Sequence, residues 1–269
     1  MSPSPLSREV IPTHDKEEPL QLRVYPAPHP NAPTLVYLPG IHGDCTLIAA
    51  CREILRMRVR FVEMTYPRSV TWSLTHYAQA IEAALQREGI DHGWLLGESF
   101  GSQVLWELVA RRQMSYGGLI LAGGFVRYPY PALLAATRWI FPLLTSSLLS
   151  RVLPLYVSYA RIRYRGNEAM IEGAREFVAR RTPQDLRAIE HRLGLIAEND
   201  PRPTAMTTRI PVHHLYGFID PIVPWIPATR WLEEECLALR GTRRIALCDH
   251  TVLATAARDA AEQICQWIA

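Results

Sequence analysis

Residues 97–101, with the sequence Gly-Glu-Ser-Phe-Gly, lie between an apolar run typical of a strand and a helical pattern. A chain that passes from strand to helix in so few residues needs small residues on both sides of the turn, because larger side chains would collide with the adjoining strand and helix. Such a turn pushes the side chain of Ser99 out of the sheet and places it at the positive end of the following helix. The motif therefore predicts a strand, a sharp turn and a helix that together expose the Ser99 hydroxyl.

Short apolar runs alternate with helical patterns along the rest of the chain. This alternation predicts an α/β fold with a mostly parallel sheet that is covered by helices on both faces. Strands are expected at residues 21–25, 34–38, 60–65, 93–96, 119–122, 213–216 and 244–247, with a further candidate at 8–12. Helices are expected at residues 75–88, 102–112, 225–239 and 255–267.

The alternation stops at residues 125–209, which are helical in pattern and rich in Leu, Pro, Tyr and Arg. Residues 1–124 and 210–269 are expected to form the core domain, and 125–209 a helical cap inserted between two strands. Residues 131–157 are strongly apolar, but only twelve residues separate Arg138 from Arg151, and a bilayer-spanning helix needs roughly 20. We therefore expect a cap helix that packs on the domain and no stable membrane insertion. Transient contact of the cap with lipid is the alternative.

The strand, turn and helix around Ser99 resemble the nucleophile turn of the α/β-hydrolase family. The resemblance covers nearly the whole chain apart from the predicted cap and the first twenty residues. It implies that Ser99 is a nucleophile, followed along the chain by an acid and then a histidine on loops at the C-terminal ends of strands. A serine at this position argues against epoxide hydrolases and haloalkane dehalogenases, which share the fold but use Asp.

Asp220 and His250 occupy the positions that the resemblance implies for the acid and the base. His250 follows the last apolar run, and Asp220 lies in Gly-Phe-Ile-Asp-Pro-Ile-Val-Pro, which resembles the family's acid turn. The alternative acid position one strand earlier has Ala122, Gly123 and Gly124, none of which is a carboxylate. Asp249 directly precedes His250, but adjacent side chains rarely face each other, so Asp220 is expected to orient His250.

The loop at residues 39–44, Pro-Gly-Ile-His-Gly-Asp, resembles the family's oxyanion loop and also the form found in some acyl thioesterases. The resemblance implies an oxyanion hole made by the backbone N–H groups of Ile41 and Phe100. His42 is a candidate substrate contact in the same loop. Three aromatic residues of the cap, Trp139, Phe141 and Tyr156, suggest a hydrophobic acyl substrate.

These features predict a serine hydrolase without a cofactor that cleaves a carboxylic ester through an acyl-enzyme intermediate. The same three residues serve acyl thioesterases, carbon–carbon bond hydrolases and acyltransferases, so these activities remain alternatives. A non-catalytic binding protein on the same fold is a further alternative, although it would usually lack one of the three residues.

Charge and cysteine content narrow the classes of partner. The net charge is +3, from 29 basic and 26 acidic residues, so the composition does not favour nucleic acid as a partner over a small-molecule acyl substrate. Five scattered cysteines without a C-x-x-C spacing favour reduced thiols and no metal site. The polar, proline-rich N-terminus does not resemble a signal peptide, so a cytoplasmic location is expected. The oligomeric state is not predicted.

Overall fold

The computed structural model describes residues 19–140, 155, 157–165 and 168–269. Its centre is a seven-stranded sheet with the order β1-β3-β2-β4-β5-β6-β7. The strands are β1 (Gln21–Val24), β2 (Thr34–Leu38), β3 (Arg60–Thr65), β4 (His92–Glu98), β5 (Ser115–Ala122), β6 (Val212–Gly217) and β7 (Leu239–Ile245). Only β1 runs antiparallel to its neighbour in this sheet. The predicted mostly parallel α/β fold is therefore confirmed.

Helices cover both faces of the sheet. They are α1 (Ala49–Leu55), α2 (Leu74–Arg87), α3 (Gly101–Arg111), α4 (Pro131–Ile140), α5 (157–163), α6 (Glu168–Ala179), α7 (Pro183–Glu198), α8 (Arg202–Thr207), α9 (Trp225–Glu235), α10 (Val252–Thr255) and α11 (Ala257–Ile268). Successive strand residues point to opposite faces. Leu95 accordingly packs in a core cluster with residues of α2, α3 and α9, whereas Leu96 packs in a second cluster with residues of α1 and α11.

Helices α4 to α8 lie in the stretch between β5 and β6. Helix α7 begins with a capping box, in which the Thr182 side chain accepts a hydrogen bond from the Asp185 backbone N–H and Asp185 bonds back to Thr182. Pro183 at the first turn suits this start, since its missing N–H would have no partner there. Ile189, Leu193 and Ile196 on one face of α7 are buried in the same core cluster as α2 and α3. Helix α7 is therefore anchored directly on the core.

Several predicted boundaries differ from the structure. The last strand was expected at 244–247 but is Leu239–Ile245, and the preceding helix ends at Glu235 instead of 239. β7 is an edge strand that carries three arginines and leaves most of its residues partly or fully exposed, so it lacks the apolar alternation of a buried strand. The short helices α1 and α10 were not predicted, and the C-terminal helix expected at 255–267 is α11, which begins at Ala257. The candidate strand at 8–12 lies outside the described residues.

Candidate active site

Ser99 sits on the turn between β4 and α3 with a backbone φ of 51°. This left-handed conformation is costly for a residue with a Cβ atom. The turn is held by the Ser99 N–H, which donates to the Ala122 carbonyl at 3.1 Å, and by the Ser102 N–H, which donates to the Ser99 carbonyl at 2.9 Å. A Cβ atom at Gly101 would lie 2.1 Å from the Leu38 carbonyl oxygen. The glycine after the turn therefore allows α3 to start against β2.

His250 and Asp220 lie beside Ser99, on the loops that follow the last two strands of the sheet, β7 and β6. His250 Nε2 lies 2.8 Å from Ser99 Oγ, and His250 Nδ1 lies 2.8 Å from Asp220 Oδ2. Asp220 follows β6 and His250 follows β7. All three residues thus follow parallel strands at their carboxyl ends, which lie along one edge of the sheet.

The carboxylate of Asp220 is fixed by its own loop. Its Oδ1 atom accepts hydrogen bonds from the Ile222 and Val223 N–H groups at 2.8 and 2.9 Å, and the Asp220 side chain is 1% exposed. The Oδ2 atom remains to accept the Nδ1 proton of His250. A proton on Nδ1 leaves the Nε2 lone pair directed at the Ser99 hydroxyl. The arrangement can therefore remove a proton from Ser99.

The loop at residues 39–44 lies beside Ser99. A Cβ atom at Gly40 would lie 3.6 Å from the Ser99 Cβ atom, and Ile41 and His42 line the cavity that contains Ser99. Phe100 directly precedes α3, and its ring is fully buried in the core. The backbone N–H groups of Ile41 and Phe100 thus belong to the two segments that adjoin Ser99.

A cavity of about 80 Å³ opens at Ser99. Its apolar walls include Leu47 and Phe177, and two carboxylates, Asp44 and Glu98, also line it. The remaining lining residues are Tyr37, Gly40, Ile41, His42, His250 and Thr251. Ligand pockets usually measure roughly 300–1,000 Å³, so this cavity is a small one.

Glu98 precedes Ser99 and faces Tyr37, whose hydroxyl donates to Glu98 Oε2. Burial raises the pKa of the Glu98 carboxyl, while the hydrogen bond from Tyr37 and the nearby His250 oppose this rise. Asp249, the other carboxylate near His250, bonds away from the imidazole. It accepts hydrogen bonds from the Thr251 N–H and from the Tyr164 hydroxyl at 3.1 and 2.9 Å.

Of the predicted substrate-binding residues that the structure describes, one lines the cavity at Ser99 and one does not. His42 lines the cavity at Ser99 and makes an edge contact with Phe177, at 4.6 Å between ring centroids. Trp139 is 84% exposed near the end of α4 and lines a separate groove beside α7. The structure therefore does not bring Trp139 to Ser99. Phe141 and Tyr156 lie outside the described residues.

Some residues around the cavity could not be identified from sequence. Phe177 of α6 lines the cavity, and Arg181 bonds the carboxylate of Asp44 in the loop after β2. Arg192 of α7 donates to the Ile41 carbonyl. The sequence contains no spacing or motif that joins these helices to a loop more than a hundred residues earlier. Only the tertiary structure identifies them.

Comparison with known proteins relates this architecture to solved structures. A thermophilic esterase from Thermogutta terrifontis superposes with a TM-score of 0.75 and 17% sequence identity, covering 93% of this chain and 92% of the esterase. The enol-lactonase from Burkholderia xenovorans LB400 gives a TM-score of 0.72 and 17% identity, covering 93% and 96% of the two chains. The chain has the α/β-hydrolase fold. This result confirms the fold that the turn at Ser99 led us to expect.

Similarity in amino-acid sequence covers less of the chain than the structural similarity does. No family model matches the chain. A putative carbamate hydrolase, RutD, from Klebsiella pneumoniae (strain 342) is 27% identical over 115 residues, which is 40% of this chain and 43% of the relative. The chain thus matches less than half the length of this curated relative. MenH from S. aureus has the same fold, with a TM-score of 0.72 and 14% identity over 92% of this chain and 97% of MenH.

Within residues 19–140, 155, 157–165 and 168–269, no helix combines the length and the apolar character needed to cross a membrane. In the same part of the chain, no group of three His, Cys, Asp or Glu side chains could hold a metal ion.

Proposed function

We propose that the chain is a serine hydrolase that cleaves a small carboxylic ester through an acyl-enzyme intermediate. The observation that carries the proposal is the continuous series from Ser99 Oγ to His250 to Asp220, with 2.8 Å at each step. Ser99 and His250 line a cavity that the loop at residues 39–44 also lines. Each distance is that of a hydrogen bond through which a proton can move.

In the proposed reaction, Ser99 Oγ attacks the ester carbonyl carbon as its proton passes to His250 Nε2. The negative charge on the carbonyl oxygen is stabilised by the N–H groups of Ile41 and Phe100. The tetrahedral intermediate expels the alcohol, which takes the proton from His250. A water molecule then gives a proton to His250 as it attacks the acyl-enzyme. The second tetrahedral intermediate releases the carboxylic acid as His250 returns that proton to Ser99 Oγ. Asp220 holds the imidazole in the required tautomer and stabilises its charged form.

The small cavity favours a short acyl group. Ile41, Leu47 and Phe177 supply apolar walls, which suits the hydrophobic acyl group expected from the sequence. The volume of about 80 Å³ lies well below the roughly 300–1,000 Å³ that is typical of ligand pockets. We therefore propose a substrate with an acyl chain of a few carbon atoms.

We also propose that residues 125–209 act as a cap over this cavity, with residues 1–124 and 210–269 as the core domain. Two contacts support the proposal. Phe177 of α6 lines the cavity, and Arg181, between α6 and α7, pairs with Asp44 on the loop after β2. Helices of the inserted stretch thus meet the loop that adjoins Ser99.

The test is hydrolysis of p-nitrophenyl esters from acetate to palmitate, run beside acyl-CoA thioesters. We expect turnover of the short esters and a loss of at least about 10⁴-fold in kcat for Ser99→Ala. Ser115→Ala, at an exposed serine at the start of β5, is the matched control and should retain full activity. Activity that survives in Ser99→Ala refutes the proposal. A preference for thioesters would assign a thioesterase instead.

If the protein hydrolyses neither the esters nor the thioesters, a fluorophosphonate probe decides whether Ser99 is a reactive nucleophile. Labelling of the wild type but not of Ser99→Ala would leave a carbon–carbon bond hydrolase or an acyltransferase. No labelling would indicate a non-catalytic protein.

Hydrolysis of a small carbamate is a second candidate, suggested by the relative named as a putative carbamate hydrolase. The carboxylates of Asp44 and Glu98 line the cavity and could accept hydrogen bonds from a carbamate N–H group, which an ester lacks. A kcat/KM for phenyl carbamate above that for phenyl acetate, reversed in Glu98→Gln, would favour this candidate.

A further inference from the structure

Arg192 is a buried cation next to the candidate active site. It lies on α7 in the inserted stretch, and the residue is 1% exposed. Within the described part of the chain, no carboxylate lies within ion-pair distance of its guanidinium group. Burying a charge without a counterion is costly unless other polar groups solvate it. The hydrogen-bond partners of Arg192 therefore indicate which segments of the chain it holds together.

The guanidinium group donates three hydrogen bonds. Nη1 donates to the Ile41 carbonyl at 2.7 Å, Nη2 to the Pro67 carbonyl at 2.8 Å and Nε to the Tyr77 hydroxyl at 3.2 Å. The partners lie in the loop after β2, in the segment after β3 and on α2. The planar fork of Arg192 thus fixes the loop containing Ile41 relative to two other elements of the core.

The guanidinium also faces the ring of Phe100, the second residue proposed to donate to the oxyanion. Its central carbon lies 6.0 Å from the centroid of Phe100, and 5.6 and 5.9 Å from the centroids of Tyr66 and Tyr77. These distances are within the range of cation–π attraction. Arg192 is therefore in contact with both residues whose N–H groups form the proposed oxyanion hole.

The backbone around Ile41 is fixed on both sides by this arrangement. The Ile41 N–H shares a peptide group with the Gly40 carbonyl, which accepts a hydrogen bond from the Gly43 N–H at 2.9 Å. Because the N–H and C=O of one trans peptide point in opposite directions, this bond turns the Ile41 N–H away from the inside of the turn. Gly43 has a φ of 80°, and a Cβ atom there would lie 2.7 Å from Arg192 Nη1. The Gly40–Gly43 turn therefore packs directly against the Arg192 guanidinium group.

We propose that Arg192 is a positioning residue for the oxyanion hole. It holds the Ile41 N–H in place through the Ile41 carbonyl and the Gly40–Gly43 turn. The inference rests on the proposed function, because it assumes that Ile41 donates to an oxyanion. It adds that a side chain of the inserted stretch sets the geometry of the transition-state site.

The test compares Arg192→Met, which removes all three donors at similar length, with Arg192→Lys, which keeps the charge. Arg187→Met is the matched control, since Arg187 is exposed on the same helix. We expect kcat per active site to fall about 100-fold in Arg192→Met, as on loss of one oxyanion donor. KM should change less than about threefold, because the contact acts mainly in the transition state. Arg192→Lys should lose about tenfold, since one ammonium group cannot replace the planar fork.

A trifluoromethyl ketone provides a readout that is independent of turnover, because its adduct with Ser99 places an oxyanion in the same hole. We expect its inhibition constant to rise in parallel with the fall in kcat/KM across the variants, and Arg187→Met to match the wild type. Active sites are counted with a fluorophosphonate, so partial unfolding does not mimic a catalytic loss.

The outcomes separate the two proposals. Unchanged kcat per active site and unchanged ketone affinity in Arg192→Met would overturn the role of Arg192 alone. If Arg192→Met does not fold, wild-type values for Arg192→Lys would overturn it. A wild-type protein that neither turns over esters nor binds the ketone would overturn the proposed function and this inference with it.

Discussion

Single residues decide whether the site can form at all. Ser99 adopts a φ of 51°, a conformation that costs a non-glycine residue about 1–2 kcal/mol. The structure tolerates this cost because hydrogen bonds hold the turn and glycines flank it. The candidate base and acid are equally constrained, since both oxygens of Asp220 have hydrogen-bond partners.

The first prediction concerns Asp220→Asn. An amide can present its NH₂ group to His250 Nδ1, which favours the tautomer whose Nε2 carries a proton and cannot accept one from Ser99. We expect kcat to fall about 10⁴-fold, measured by steady-state ester hydrolysis. Asp249→Asn is the control, because Asp249 bonds to Thr251 and Tyr164 instead. A larger loss in Asp249→Asn than in Asp220→Asn would contradict the proposed roles.

The second prediction concerns Gly101→Ala. The added methyl group would meet the Leu38 carbonyl oxygen at 2.1 Å and the Pro39 carbonyl oxygen at 2.9 Å. Backbone atoms cannot yield as a flexible side chain does, so we expect a loss of at least about 3 kcal/mol in the free energy of unfolding. Gly173→Ala in α6 has open space around it and should be neutral or stabilise by up to about 1 kcal/mol. Urea denaturation measures both, and equal stability of the two variants would disprove the expectation.

At the scale of elements, the loop after β2 and the junction of α6 with α7 hold each other. Arg181 pairs with Asp44, and its side chain is almost fully buried. Asp44 also accepts a hydrogen bond from the Thr46 N–H at 3.0 Å. Burial opposes ionisation of Asp44, but the Arg181 guanidinium and the hydrogen bonds from Thr46 together outweigh it and keep the pKa of Asp44 below its ordinary value of 3.8. The inserted stretch is thus joined to the active-site loop by a charged contact.

The third prediction is that Asp44→Asn destabilises the fold by about 2 kcal/mol at neutral pH. Asn can still accept the Thr46 N–H through Oδ1, but its NH₂ group then faces Arg181, so the charge and the hydrogen-bond acceptor opposite Arg181 are both removed. Because the pKa of Asp44 is lowered in the folded state, its contribution is present above pH 3.8 and is lost as the pH falls through the lowered value. The variant and the wild type should therefore converge in acid.

Chemical denaturation at a series of pH values measures this difference. Glu176→Gln is the control, since Glu176 and Arg180 form an exposed pair at the end of α6, which should contribute less than about 1 kcal/mol. A pH-independent difference between Asp44→Asn and wild type would show that the charge is not responsible.

At the scale of the whole molecule, a buried histidine makes stability depend on pH. His214 lies in β6, the strand next to the edge strand β7, and its residue is 1% exposed. Its Nε2 lies 3.2 Å from the Gly124 carbonyl and its Nδ1 lies 3.2 Å from the Thr229 hydroxyl. Burial lowers the pKa of His214 from 6.5 to about 4, although the Gly124 carbonyl and Asp220 oppose the change. The folded protein therefore keeps His214 neutral where the unfolded chain binds a proton.

The fourth prediction follows from this difference in proton binding. As the pH falls from 6.5 towards 4, the unfolded state gains a proton that the folded state does not, so the free energy of unfolding decreases. The difference between a pKa of 6.5 and one of about 4 lowers the free energy of unfolding by about 3 kcal/mol in total, at roughly 1.4 kcal/mol per pKa unit. His214→Gln should flatten the pH dependence in this window by that amount, as measured by urea denaturation. His92→Gln, at an exposed position, should leave the dependence unchanged, and equal flattening by both would refute the assignment to His214.

The amino-acid sequence by itself determined the α/β architecture, most strand positions and the three residues around which the site is proposed. These features are local: an apolar run marks a buried strand, and the turn at Ser99 needs its glycines whatever surrounds it. The sequence did not predict β7 correctly, because an exposed edge strand rich in arginine lacks an apolar pattern.

Only the tertiary structure decided how the inserted stretch meets the core. Arg181 and Arg192 contact Asp44 and Ile41 across 137 and 151 positions of sequence, and no periodic pattern encodes such pairs. Trp139 is a large aromatic residue of the kind that often lines pockets, but it is exposed to solvent and lies away from Ser99. The physical reason is the same in each case. Secondary structure follows from short-range patterns, whereas contacts between distant segments depend on how the completed elements pack.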